Sequence, residues 1–288
     1  MSVRIDDPAR LGRTLLPGRR VLGWAEWGPP DGIPVLLSPG AATGRWLGVG
    51  GGVPDALGVR LISVERPGTG VSTPLPGRTF ADHAADIGAF AALRGLGRPL
   101  MVANSQGAPF ALACAAAGVV AGLAVVSGAD EIAAPAFAAA LPQELRGLVE
   151  LVARDPARAE RTFAGFGPEA MWDLVMKGSP ACDLEVYQDA AFASAYRRAL
   201  AEGFAQGPAG YARDTVLAMG RWPFDLASIT VPVDLWYGEE DTSHSPDNGA
   251  ALAGRIPGAE RHLVPGIGGA VLWTHTEPIL RTLLDRAG

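Results

Sequence analysis

The feature that most restricts the fold of this chain is an alternation of short apolar runs with stretches of helical periodicity. This alternation is typical of βαβ units, in which helices join parallel strands that are buried on both faces. We therefore predict an α/β fold with a mostly parallel eight-stranded sheet flanked by helices. Seven strands can be located, an antiparallel one at 20–27 and others at 34–38, 59–64, 100–103, 123–127, 231–237 and 261–264. Helices are predicted at 80–96, 106–117, 248–255 and 272–287.

One long segment interrupts the alternation. Between residues 133 and 222 no strand is evident, and Ala, Leu, Phe, Arg and Glu recur at helical spacing. We predict a core formed by residues 1–132 and 223–288 and a helical lid formed by residues 133–222. Packing alone is the alternative role, but open α/β sheets usually bind ligands at the carboxyl ends of their strands, where an insertion can cover them. The aromatic residues available to line an apolar pocket are Phe137, Phe163, Phe166, Trp172 and Phe192.

Composition narrows the range of partners. A net charge of −6 provides no basic surface for nucleic acid, so a small neutral or apolar molecule is the expected ligand. The two cysteines, Cys114 and Cys182, predict neither a disulfide framework nor a cysteine metal site. The charged N-terminus lacks the apolar block of a secretory signal, and the longest apolar run, 108–126, is a weak membrane span. We expect a cytoplasmic protein that does not bind membranes, and the oligomeric state stays open.

The segment around Ser105 carries the strongest chemical signal. An apolar strand runs into Ser105, Gly107 leaves room for a sharp turn, and a helix of small residues follows. This context matches the G-x-S-x-G nucleophile elbow, a strained turn that exposes a serine oxygen at the edge of a sheet, except that Ala103 replaces the first glycine. Ser105 is therefore the predicted nucleophile.

Four segments in order resemble motifs of the α/β-hydrolase family, and the resemblance covers nearly the whole chain. They are 34–41 (PVLLSPGA, its oxyanion loop), 64–72 (VERPGTGVS, its Asp-Arg-Pro-Gly turn), 235–241 (LWYGEED, its catalytic acid) and 264–269 (VPGIGG, its histidine loop). The resemblance implies that Asp241 orients the catalytic base. It also implies that the backbone N–H groups of Ala41 and Gln106 form the oxyanion hole, since proline at 39 has no N–H to donate.

The same resemblance places histidine at position 269, where this chain has Gly269. Of the four histidines, His83 is predicted to lie at the surface or to serve packing, and His262 is predicted to be structural. His244 follows Asp241 by three residues, and the two glycines at 268 and 269 leave space for an imidazole from that loop. We therefore predict His244 as the base that activates Ser105, with His275 as the second candidate.

These assignments predict a hydrolase that acts on an ester or related carbonyl compound without a metal or organic cofactor. Two alternatives keep the pocket but not the acyl-enzyme. One is a lyase or cyclase that acts on a small natural product, and the other is a catalytically silent binding protein. Fold alone does not decide among them, because this scaffold supports many activities.

Overall fold

A single mixed sheet organises the chain, and a computed structural model describes it over residues 3–288. Within these residues the sheet has eight strands in the order β1-β2-β4-β3-β5-β6-β7-β8. The strands are β1 Arg10–Leu15, β2 Val21–Trp27, β3 Ile33–Ser38, β4 Val59–Val64, β5 Leu100–Ser105, β6 Gly122–Gly128, β7 Val233–Gly238 and β8 Glu260–Val264. Only the pairs β1–β2 and β2–β4 are antiparallel. The predicted fold class is confirmed.

Helices cover both faces of the sheet. Those joined directly to its strands are α1 Val53–Ala56, α2 Phe80–Leu93, α3 Gly107–Ala116, α10 Ala250–Arg255, α11 Val271–Thr274 and α12 Thr276–Ala287. The central strands β3, β5 and β6 are almost wholly buried, as their continuous apolar sequences predict. Helix α3 is buried along nearly its whole length because its small residues let it lie close to the sheet.

The strand that the sequence did not locate is β1, an antiparallel edge strand. Its residues alternate between partly buried and exposed, and Leu11 and Leu15 point into solvent. Two leucines among arginine, glycine and threonine give no apolar run, so the sequence pattern was too weak to identify a strand there. Its pairing with β2 extends the sheet at the end remote from β7 and β8.

Six helices lie between β6 and β7, in the segment where the sequence predicts helical spacing. They are α4 Gln143–Arg154, α5 Pro156–Phe163, α6 Pro168–Gly178, α7 Ala181–Tyr187, α8 Ala190–Gly203 and α9 Ala209–Met219. We call them the inserted helices. They contact the loops that follow β3, β5, β7 and β8, and all of these loops lie at the carboxyl ends of the parallel strands. The division into a core and a separate lid stays a prediction.

Cys114 and Cys182 are both free thiols, and burial raises the pKa of Cys114 to about 12, which makes it unreactive. Across residues 3–288, none of the helices combines the length and the apolar character that crossing a membrane requires.

Candidate active site

Ser105 lies at the end of β5 in a strained backbone conformation. Its φ is +50°, and the pairing of β5 with β6 shifts register between Asn104 and Ser105. Helix α3 begins two residues later at Gly107, where an added Cβ would lie 2.2 Å from the carbonyl oxygen of Ser38. Only glycine fits this contact, because no real Cβ approaches backbone so closely. A strained backbone conformation held by surrounding packing is characteristic of functional turns.

The loop after β3 packs against this serine. A Cβ built on Gly40 would lie 3.3 Å from the Cβ of Ser105, so the two segments are in contact. Among residues 3–288, the backbone N–H groups of Ala41 and Gln106 donate no hydrogen bond to another backbone group. Free N–H groups beside a serine are the requirement for an oxyanion hole. The N–H groups of Ala41 and Gln106 are thus available to form the oxyanion hole that the family resemblance implies.

Asp241 and His244 form a hydrogen-bonded pair within one short loop after β7. The Nδ1 atom of His244 lies 2.9 Å from Oδ2 and 3.0 Å from Oδ1 of Asp241. The carboxylate also accepts hydrogen bonds from the backbone N–H groups of Ser243 and His244. An aspartate that binds N–H groups two and three residues later folds its own loop. The local sequence therefore places the carboxylate and the imidazole together.

The ring of His244 occupies the space beside Gly269. A Cβ built on Gly269 would lie 2.8 Å from Cε1 of His244 and 3.3 Å from its Nδ1. The loops after β7 and β8 are joined here, because the N–H of Glu240 donates to the carbonyl of Ile267. An imidazole from the first loop thus fills the volume that a side chain from the second would need.

The charges of this pair reinforce each other. Burial disfavours the imidazolium of His244, but the charge and hydrogen bond of Asp241, together with the charge of Asp183, outweigh burial and raise its pKa. Burial likewise opposes ionisation of Asp241, but His244 and the two backbone N–H groups outweigh it and lower its pKa. An ionised carboxylate on Nδ1 leaves Nε2 as the atom that can take up a proton.

Backbone hydrogen bonds bring Ser105 and His244 to the same loop. The carbonyl of Ser105 accepts from the N–H of Ala129, and that of His244 accepts from the N–H of Asp130. Within residues 3–288, the ring of His244 is hydrogen-bonded only to Asp241, so it is not bonded directly to the serine hydroxyl. Catalytic hydrogen bonds commonly tighten only when substrate binds.

Asp183 is a site residue that sequence reasoning missed. It lies in α7, is fully buried, and accepts hydrogen bonds from the backbone N–H groups of Gly268, Gly269 and Ala270. Burial raises its pKa despite these three donors. An acid in a helical segment gives no sequence signal for this role. The adjacent glycines were the available signal, since a Cβ on Gly268 would lie 2.5 Å from Oδ2 of Asp183.

His275, the second candidate for the base, is not paired with Asp241. Its Nδ1 lies 2.9 Å from the hydroxyl oxygen of its neighbour Thr274, at the junction of α11 and α12. Burial lowers the pKa of His275, whereas the pKa of His244 is raised. Of the two candidates, the structure gives only His244 a carboxylate partner.

The remaining histidines pack within the fold. His83 is buried edge-on against Phe110, and burial lowers its pKa to about 3. His262 stacks on Trp236 and lies 2.7 Å from Asp234 through its Nε2 atom. Both positions agree with structural roles.

An aromatic cluster formed by two inserted helices and α11 lies beside Gly269. Tyr187 and Phe192 pack against each other and against Trp273, with ring centroids 5.0–5.9 Å apart. The hydroxyl of Tyr187 would lie 3.5 Å from a Cβ on Gly269. The neighbourhood of His244 thus combines the carboxylates of Asp241 and Asp183 with the phenol of Tyr187. Of the predicted pocket residues, Phe137, Phe163, Trp172 and Phe192 are buried, and Phe166 is partly buried.

A separate cleft lies away from these residues. Its volume is about 190 Å³, and Asp6, Trp27 and Gly50 are among the residues that line it. Neither Ser105 nor His244 lines this cleft, so the candidate active site is not identified by it.

With this geometry established, comparison with known proteins identifies the family. The sequence profile of the alpha/beta hydrolase fold family matches residues 33–276, and the chain belongs to this family. No curated protein sequence matches the chain.

Several solved structures share the fold. An enol-lactonase from Burkholderia xenovorans superposes with a TM-score of 0.68 at 17% identity, covering 95% of this chain and 98% of its own. A thermophilic esterase from Thermogutta terrifontis gives 0.68 at 20% identity, covering 97% and 99%. An esterase from a Rhodococcus species gives 0.63 at 19% identity, covering 96% and 99%. Identities this low show the fold alone.

Proposed function

We propose that this protein hydrolyses a carboxylic ester or related carbonyl compound through Ser105, with His244 as its base. The observation that carries the proposal is the hydrogen-bonded pair of Asp241 and His244, whose imidazole fills the space beside Gly269. A serine hydroxyl is a poor nucleophile at neutral pH and needs a base to remove its proton as it attacks. In this proposal His244 supplies that base from a loop other than the family's usual one.

The reaction follows from these roles. Nε2 of His244 removes the proton of Ser105 as its oxygen attacks the substrate carbonyl, and Asp241 stabilises the imidazolium that forms. The N–H groups of Ala41 and Gln106 bind the tetrahedral oxyanion. His244 then gives its proton to the leaving alcohol, and water attacks the acyl-enzyme by the reverse sequence, which restores Ser105.

The aromatic surroundings support a neutral or apolar substrate. Tyr187 lies beside Gly269 and packs against Phe192 and Trp273, and burial raises the pKa of Tyr187 well above its usual value, so its phenol stays neutral. One structural neighbour is named an enol-lactonase and two are named esterases. Lactones and short acyl esters are therefore the substrates to assay first.

A fluorophosphonate probe tests the proposal. Such a probe forms a covalent adduct with an activated serine, and peptide mass spectrometry is expected to locate the adduct on Ser105. Absence of labelling would contradict serine hydrolysis. It would favour the lyase or cyclase, or the silent binding protein. The observation that supports these alternatives is that, within residues 3–288, the ring of His244 makes no hydrogen bond to Ser105.

A side chain at position 269 should disturb the proposed base, His244. Gly269→Ala places a Cβ 2.8 Å from Cε1 of His244 and should displace the ring. Because small misplacements of a catalytic group cost up to about 100-fold, we expect kcat for p-nitrophenyl butyrate to fall at least about 10-fold. Gly254→Ala is the control, since its Cβ would meet no atom within 4 Å. Unchanged turnover by a folded Gly269→Ala variant would contradict the placement of the base.

The pH dependence provides another prediction. His244 acts as a base only when neutral, so kcat/KM should rise with pH as His244 loses its proton. Because its pKa is raised in the folded protein, half-maximal activity should fall above the ordinary histidine value of about 6.5.

Substitution of Asp183 tests whether the acidic limb of the pH–rate profile belongs to His244. Its charge contributes to the raised pKa of His244, so Asp183→Asn should move the acidic limb of the pH–rate profile to lower pH. Asp189→Asn is the matched control, because Asp189 caps α8 from a partly buried position and its charge is not among those that raise the pKa of His244. If the acidic limb did not move in Asp183→Asn, the group that titrates would not interact with this carboxylate, and His244 would not be that group.

A further inference from the structure

Arg66 is a buried arginine whose guanidinium binds the oxyanion loop. It lies two residues after β4 and is only 2% exposed. Nη1 donates to the carbonyl of Pro39 at 2.7 Å, and Nη2 donates to the carbonyl of Gly40 at 2.9 Å. Nε donates to Oδ2 of Asp214 at 2.7 Å. The three nitrogens thus join two successive carbonyls to one carboxylate.

The second of these carbonyls belongs to the peptide unit that carries a proposed oxyanion donor. The C=O of Gly40 and the N–H of Ala41 are parts of the same peptide bond, and the chain contains no cis peptide among the described residues. In a planar trans peptide the two groups point in opposite directions. The N–H of Ala41 therefore points away from the guanidinium, and it donates to no other backbone group within residues 3–288.

A cation on that carbonyl changes the donor at the other end of the peptide. Hydrogen bonds to ionised groups are about twice as strong as neutral ones, and a chain of hydrogen bonds polarises each member in a buried setting. Electron density drawn toward the Gly40 oxygen makes the Ala41 N–H a stronger donor. The fork also fixes the orientation of the peptide, which a lysine ammonium as a single point charge would not do.

Asp214 connects this arrangement to the inserted helices. It lies in α9, is fully buried and also pairs with Arg78. The guanidinium of Arg66 is thus bound by an acid from the segment that contacts the carboxyl ends of the strands. Arg78 also donates to Gly210, but it makes no hydrogen bond to the loop after β3.

We propose that Arg66 is a positioning residue that orients and polarises the Gly40–Ala41 peptide so that the Ala41 N–H stabilises the oxyanion, with Asp214 holding the guanidinium in place. This inference rests on the proposed function. A purely structural role for Arg66, as support for the turn at 64–72, would affect folding but not the chemical step specifically.

The first test compares an oxygen ester with its thiono analogue, p-nitrophenyl butyrate with p-nitrophenyl thionobutyrate. We expect Arg66→Lys to lower kcat for the oxygen ester by about 100-fold, the lower end of what loss of one oxyanion donor produces, with KM nearly unchanged. The thionoester should be affected less, because sulfur accepts hydrogen bonds weakly. The rate ratio, kcat for the oxygen ester divided by kcat for the thionoester, should therefore fall.

Arg78→Lys is the matched control. Arg78 is buried and binds the same carboxylate but does not touch the oxyanion loop, so kcat and the rate ratio should change little. If Arg66→Lys does not fold, Asp214→Asn replaces it, and the rate ratio should again fall. An unchanged ratio, an equal loss on both esters or a change confined to KM would overturn the proposal.

A spectroscopic measurement separates this inference from the proposed function. The assigned amide resonance of Ala41 reports the polarisation of its N–H whether or not the protein turns over an ester. It should move upfield in Arg66→Lys and stay in place in Arg78→Lys. An unmoved resonance overturns the role of Arg66 even in an active enzyme. A shifted resonance in a protein that no fluorophosphonate labels supports the polarisation and contradicts the hydrolase instead.

Discussion

Ser105→Ala is expected to abolish fluorophosphonate labelling and to lower kcat for p-nitrophenyl butyrate by about 10⁴-fold or more. The substitution removes the attacking oxygen, while the oxyanion donors and the binding surface stay in place. A small residual rate above the uncatalysed reaction is therefore expected. Labelling intensity and steady-state turnover measure the effect.

Ser127→Ala is a close control for this variant. Ser127 also has a positive φ, +42°, near the end of the neighbouring strand β6, and its buried hydroxyl lacks a partner within the described chain. Both serines therefore share a backbone conformation, but only Ser105 lies on the elbow. Turnover that survives in Ser105→Ala, or is lost in Ser127→Ala, would argue against Ser105 as the nucleophile.

His244→Ala is expected to lower kcat by about 10³-fold or more, because the hydroxyl of Ser105 would then lose its base and Asp241 its partner. His275→Ala is the matched control, and its kcat should change little, since His275 contacts Thr274 and not Asp241. Rates on p-nitrophenyl butyrate with both variants decide between the two candidates. Equal activity of His244→Ala and the wild type would remove His244 from the mechanism.

A double variant extends this prediction. In the wild type, a side chain at 269 would collide with the ring of His244, but His244→Ala vacates that space. His244→Ala combined with Gly269→His should therefore recover part of the lost turnover, whereas Gly269→His alone should be impaired. Recovery is expected to be partial, because Asp183 holds the backbone of this loop.

Much of the fold could be predicted from sequence because it depends on local patterns. The continuous apolar runs of the central strands and the small residues of α3 each indicate their element without reference to distant residues. Strand β1 could not be identified in this way. It is defined by pairing with β2, and its own residues carry no apolar run.

The residues of the candidate site also differ in whether a local sequence pattern identifies them. Ser105, Asp241 and His244 lie within short motifs, so their order and spacing pointed to them. Asp183 lies in no such motif, and Arg66 lies in the motif at 64–72, which does not reveal its contacts. Both bind backbone groups that lie 85 and 26 residues away in the sequence, at Gly268 and Gly40. Such contacts depend on the assembled fold, and no local pattern encodes them.

The central claim is that His244 activates Ser105 from the loop after β7. A crystal structure of the fluorophosphonate adduct tests it most directly. The account predicts Nε2 of His244 within about 2.6–3.2 Å of the Ser105 oxygen, with Nδ1 still bound to Asp241. An adduct in which His244 points away from that oxygen, or in which His275 takes its place, would contradict the account.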